Sequence, residues 1–117
     1  METQFDAVQS LKSIESNYGP QVAREVVQIF ISDYPAKLAK LKAAIDTGNQ
    51  DSIRFVAHDI KSGCLSMGVK PMSTVCEVIE RDGSKLTREE LQKLSERLEN
   101  DYTQISRTYG DYLNINH

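Results

Sequence analysis

The sequence predicts an all-α protein, an up-down antiparallel four-helix bundle with a short extra helix at its N-terminal end. Three observations carry that expectation. Apolar residues recur at threes and fours throughout the 117 residues, strand-like alternation is absent, and glycines and prolines cut the chain into helix-sized pieces joined by short connections. Short connections between successive helices favour antiparallel neighbours. With 39% hydrophobic residues and no linker or repeat, the whole of 1–117 reads as a single domain with one core.

Each element has its own signals. Thr3 can cap a first helix carrying Phe5, Val8, Leu11 and Ile14, which Tyr18-Gly19-Pro20 closes. A second helix runs from Pro20 to about Asp46 on the stripe Val26, Val27, Phe30, Tyr34, Leu38, Leu41 and Ile45, and Gly48 stops it. Pro35 lies inside that stripe, so a kink or break is expected near Ser32 to Pro35, with Asp33 as the cap of a restart. Asn49 caps a third helix ending at Met67, before Gly68. Pro71 opens a fourth, closed by Asp82-Gly83. The fifth begins at a capping box, Thr87 with Glu90, and a hydrophobic staple, Leu86 with Leu91; its stripe is Leu91, Leu94, Leu98, Tyr102, Ile105 and Tyr109.

Composition excludes several function classes. Fourteen Lys plus Arg against 17 Asp plus Glu give a net charge of −3, with no basic run to neutralise a phosphate backbone, so no nucleic-acid partner is expected. The longest nearly apolar stretch, Val26 to Ile31, is far below the roughly 20 residues of a membrane span, and no basic-then-apolar leader follows Met1. No membrane partner and a cytoplasmic location are therefore expected, with Cys64 and Cys76 as reduced core residues. The chain is too small to hold a nucleotide-binding domain beside a second one.

The chemistry concentrates on the third helix. At about 100° per residue, Ile53, Val56, Ala57, Ile60, Cys64 and Met67 form the inward stripe, and His58 points away from it. Around His58 lie Asp51, Arg54, Phe55, Lys61, Ser62 and Leu65, an exposed patch that is cationic and partly apolar. Bundle metal sites need several inward ligands, and Phe55 stands where a paired Glu would be. No nucleophile elbow is present for a hydrolytic triad. Histidine as an exposed nucleophile remains, and phosphoryl transfer suits it: Lys61 one turn on can offset the added charge, while Ser62 and Gly63 are small enough to let a partner approach. His117, the other histidine, is terminal and is expected to be bland.

These residues resemble the motif of histidine-containing phosphotransfer (HPt) domains: Ala57-His58, Lys61, Ser62 and Met67-Gly68 match it in register. Phe30-x-x-Asp33-x-Pro35 and Cys76-x-x-Ile79-Glu80 extend the resemblance over roughly residues 20 to 110. The resemblance implies a carrier that is not itself an enzyme with ATP or metal sites. It implies receiver domains of hybrid sensor kinases and response regulators as partners, and Mg²⁺ supplied by the receiver. By the same resemblance His58 is the phosphoacceptor, Lys61 the charge partner, and Ser62 and Gly63 the close-approach positions. Arg54, Phe55, Asp59, Leu65, Ile31 and Tyr34 would then form the docking surface of a carrier expected to be monomeric.

Ser62, Ser66 and Asp59 depart from the commoner pattern of that family. Asp59 directly after His58 also resembles the phosphoacceptor box of sensor histidine kinases, which would make the chain a dimerisation fragment with Asp59 as general base; Gly63 stands where that box has proline. A phosphorylation-independent helical adaptor using the same face is the third reading.

Overall fold

The computed structural model describes residues 6–115. It is all-helical: α1 (Ala7–Tyr18), α2 (Pro20–Thr47), α3 (Gln50–Met67), α4 (Lys70–Asp82), a single 3-10 turn (Gly83–Lys85) and α5 (Arg88–Ile115). Helix α2 packs on α3 and α5, and α4 also packs on α3 and α5, so these four helices close a ring around one core, with α1 laid against α2 and α5. That core is lined by Phe30, Leu41, Ile45, Ile53, Ile60, Met72, Ile79, Leu98 and Tyr109. No described helix is long and apolar enough to cross a membrane.

The punctuation acts as its chemistry dictates. Gly48 and Gly68 end α2 and α3 in the left-handed conformation, at φ 73° and 71°, where a side chain would be strained. Asn49 accepts the Ser52 N–H at the start of α3, and Thr87 and Glu90 exchange both bonds of the capping box. The first helix differs from expectation: Asp6 caps it by accepting the Val8 and Gln9 N–H groups, while Thr3 and Phe5 lie outside the described residues.

Helix α2 overturns the break, and with it the restart at Asp33, that the sequence allowed near Pro35. It runs through Pro35 without a break, and Asp33 caps nothing, instead accepting a hydrogen bond from the Ser32 hydroxyl. The reason lies on another helix. Pro35 has no N–H to give to the carbonyl of Ile31 four residues earlier, and the Tyr102 hydroxyl from α5 donates to that carbonyl at 2.9 Å and to that of Phe30 at 3.2 Å. A donor from across the bundle thus replaces the one proline lacks. Tyr102→Phe should lower stability by about 1–2 kcal/mol in denaturant unfolding, and less in a Pro35→Ala background, where the backbone regains its own donor. Equal losses in both backgrounds would disprove the coupling.

Helix α1 is tied in by polar contacts. The Ser10 hydroxyl accepts from Tyr109 Oη at 2.9 Å and donates to the carbonyl of Met67, one of the unpaired acceptors at the end of α3, at 3.1 Å. The Tyr112 hydroxyl donates to Glu15 of the same helix.

Candidate functional site

The inward stripe of α3 is buried as its periodicity requires, with Val56 half-buried at its edge, and this leaves the His58 side chain 62% exposed. Phe55 and Leu65 flank it as the most exposed large apolar side chains among the described residues, at 75% and 60%. Isolated apolar side chains on a surface are ordinary; two beside one exposed imidazole form a local apolar collar.

The residue that organises the site comes from α4. Ile79 turns into the core, and Glu80, next in sequence, emerges at the boundary with α3. Its Oε2 lies 3.0 Å from His58 Nδ1 and its Oε1 2.7 Å from Lys61 Nζ. Burial pushes the Glu80 carboxyl up, but the hydrogen bonds and charges of Lys61 and His58 outweigh it and hold it below the ordinary carboxylate range. Lys61 is correspondingly raised by its bond to Glu80. An ionised carboxylate only accepts, so the proton of a neutral His58 sits on Nδ1. Nε2 then carries the free lone pair.

Because the folded pKa of Glu80 lies below its unfolded value, its contribution to stability is present above about pH 4.3 and is lost as pH falls through the folded pKa. The stability gap between the protein and Glu80→Gln, measured by urea unfolding, should be full at neutral pH and shrink in acid. A gap independent of pH would show that the ion pairs contribute nothing.

Asp59 points elsewhere. It is paired with Lys37 of α2 at 3.1 Å, and that ammonium also sits over the Tyr34 ring, 5.2 Å from its centroid. The Ser62 hydroxyl is turned back on its own helix and donates to the His58 carbonyl at 3.0 Å, and Ser66 does the same to Ser62.

Tyr34 is a correction: it is 4% exposed and faces the core, so it offers no docking surface. Its ring belongs to an aromatic cluster with Phe30 and Tyr102, and its hydroxyl lies near the Cys64 thiol. Burial raises the Tyr34 phenol and pushes the Cys64 thiol up to about 12, so both are neutral. That hydroxyl also fills the space a side chain at Gly63 would need, since a Cβ there would lie 1.7 Å from it. The room beside Gly63 is therefore taken from within the fold. Ile31 is half-buried, and Arg54 is exposed on the side of α3 that faces α4.

Glu80 is the site residue that spacing along α3 could not reveal. The available signal was a carboxylate bordering the apolar stripe of the neighbouring helix, directly after Ile79. Among the described residues, no group of three His, Cys, Asp or Glu is gathered as metal ligands. The arrangement can do one thing well: present an oriented, unprotonated imidazole nitrogen to a large partner, with a cation beside it. No curated protein and no solved structure gives a match to the chain. Residues 25–108 match the family model of the Hpt domain.

Proposed function

Because the chain belongs to the Hpt domain family, whose members act in histidine phosphotransfer of two-component signalling, we propose that it is a phosphorelay intermediate carrying the phosphoryl group on His58. The observation that supports this most is the Glu80 contact, which takes His58 Nδ1 and leaves Nε2 outward as the nucleophile. Nε2 attacks the phosphorus of a receiver's aspartyl phosphate. The N–P bond forms as the P–O bond to the aspartate breaks, and the bonding pair leaves with the carboxylate. The imidazole keeps its Nδ1 proton, and Glu80 offsets the positive charge the ring acquires. In the reverse direction the phosphoryl group passes to the aspartate of a second receiver.

The receiver brings the Mg²⁺ and acidic pocket for this exchange, and the carrier contributes the nucleophile and its orientation. Lys61 is the charge partner, Phe55 and Leu65 supply apolar docking surface, and Ser62 is a small neighbour that keeps approach open. The two-residue connections Gly48-Asn49 and Gly68-Val69 support the up-down antiparallel bundle as the architecture that holds α3 and α4 side by side. The pairing of Asp59 with Lys37 counts against the kinase-fragment reading, which needs that carboxylate free as a base.

The test is to mix the chain with a phosphorylated receiver domain and Mg²⁺, then map the label by mass spectrometry under alkaline conditions. One acid-labile phosphoryl group on His58, absent with ATP alone, is the expected result. Receiver binding without transfer would point instead to the adaptor.

A further inference from the structure

The cations near His58 differ in what they already hold. Lys61 is committed to Glu80 at 2.7 Å, Lys37 to Asp59 at 3.1 Å, and Arg81 to Asp82 through two contacts of 3.0 and 3.2 Å. Arg54 has one contact, 3.4 Å to Asp51, and the two side chains are 61% and 95% exposed. A single exposed pair of that length contributes little and exchanges readily. Arg54 is the cation beside the site with the weakest hold on a partner.

Its position suits a ligand on the imidazole. Arg54 lies four residues before His58, on the adjoining turn of the same helix face, and its guanidinium now turns the other way, towards Asp51, from which it would swing to reach the imidazole. It also lines the same cleft between α3 and α4 as Glu80, the residue that holds His58 Nδ1. A phosphoryl group on Nε2 adds roughly two negative charges beside a Lys61 whose own charge Glu80 has already compensated. A planar guanidinium, able to give two parallel N–H bonds, matches phosphoryl oxygens in a way an ammonium does not.

We propose that Arg54 is a second phosphoryl-binding residue, which leaves Asp51 to hold the phosphoryl group on His58 and thereby sets how far transfer equilibria favour the carrier. This rests on His58 being the phosphoacceptor. Docking alone would give Arg54 an effect on transfer rate; phosphoryl binding gives it an effect on the equilibrium between free species.

The experiment equilibrates the full chain with a receiver domain charged by acetyl phosphate in Mg²⁺, both dilute enough to be dissociated, and measures the fraction of phosphoryl on His58. Arg54→Ala should shift the equilibrium about three- to five-fold towards the receiver, and Arg54→Lys should restore part of the loss. Asp51→Asn, which removes the competitor, should shift it the other way. If Arg54→Ala changes the rate and leaves the equilibrium as it was, Arg54 is a docking residue and the proposal fails. Transfer to the unsubstituted chain without any label on His58 would overturn the phosphoacceptor reading itself, and this proposal with it.

Discussion

His58→Gln abolishes phosphoryl acceptance and leaves the fold in place: that is the largest effect expected of any single substitution. The side chain is 62% exposed and contributes no core contact, and a glutamine amide can still donate to the Glu80 carboxylate, so stability should move by no more than about 0.5 kcal/mol. What disappears is the ring nitrogen lone pair, for which an amide offers no substitute as a nucleophile. Acid-labile phosphate incorporated from a labelled receiver should fall to background while the circular dichroism spectrum is unchanged. His117→Gln serves as the contrast and should incorporate as the unsubstituted chain does. Label retained in His58→Gln would move the phosphoacceptor to another residue.

Gly63→Ala is expected to be the most destabilising of the small changes near the site, and its sign runs against helix propensity. In an open helix, alanine would be more stable than glycine by about 0.5–1 kcal/mol. Here the new Cβ meets Tyr34 Oη at 1.7 Å, and Tyr34 is 4% exposed with little freedom to withdraw. Either α3 lifts from α2 or the buried phenol is pushed aside, at a cost of about 1–3 kcal/mol. Removing the hydroxyl should cure most of this, because the next atom of the ring stands 3.0 Å away. Gly63→Ala should therefore be nearly neutral when introduced into Tyr34→Phe. Urea unfolding of the four proteins tests the pair, and the same cost in both backgrounds would refute the clash. A lift of α3 would also disturb the 3.0 Å contact of His58 with Glu80, readable in the imidazole proton resonances.

Helix ends were legible because they depend on neighbours in the chain. Asn49, Gly68, Thr87 and Glu90 stop or start a helix through bonds that span at most a few residues, and each does so here. The outward phase of His58 was legible for the same reason, since one helix's own stripe determines it. Contacts between helices were not. Nothing near Pro35 announces that Tyr102 will donate to the carbonyl it leaves unpaired, so local rules predict a kink or a break, and the helix is unbroken where the bundle supplies a bond. The Tyr34 ring, at the edge of its stripe, could face either way until the missing side chain of Gly63 opened a place for it. Glu80 joined the site through the relative phase of two helices, which a pattern along either one leaves undetermined.

The tethers of α1 bear on the order in which the molecule is built. Ser10 reaches partners 57 and 99 residues away, and Glu15 one that is 97 residues away. Contacts of such separation form only after the intervening chain is available, and they are slow to close. On the ribosome, α1 emerges before α5, and the surface its polar groups need is unfinished until Tyr109 and Tyr112 have also been made. Helix α1 can settle on its chain neighbour α2 early, but its polar tethers close only once the end of α5 is in place.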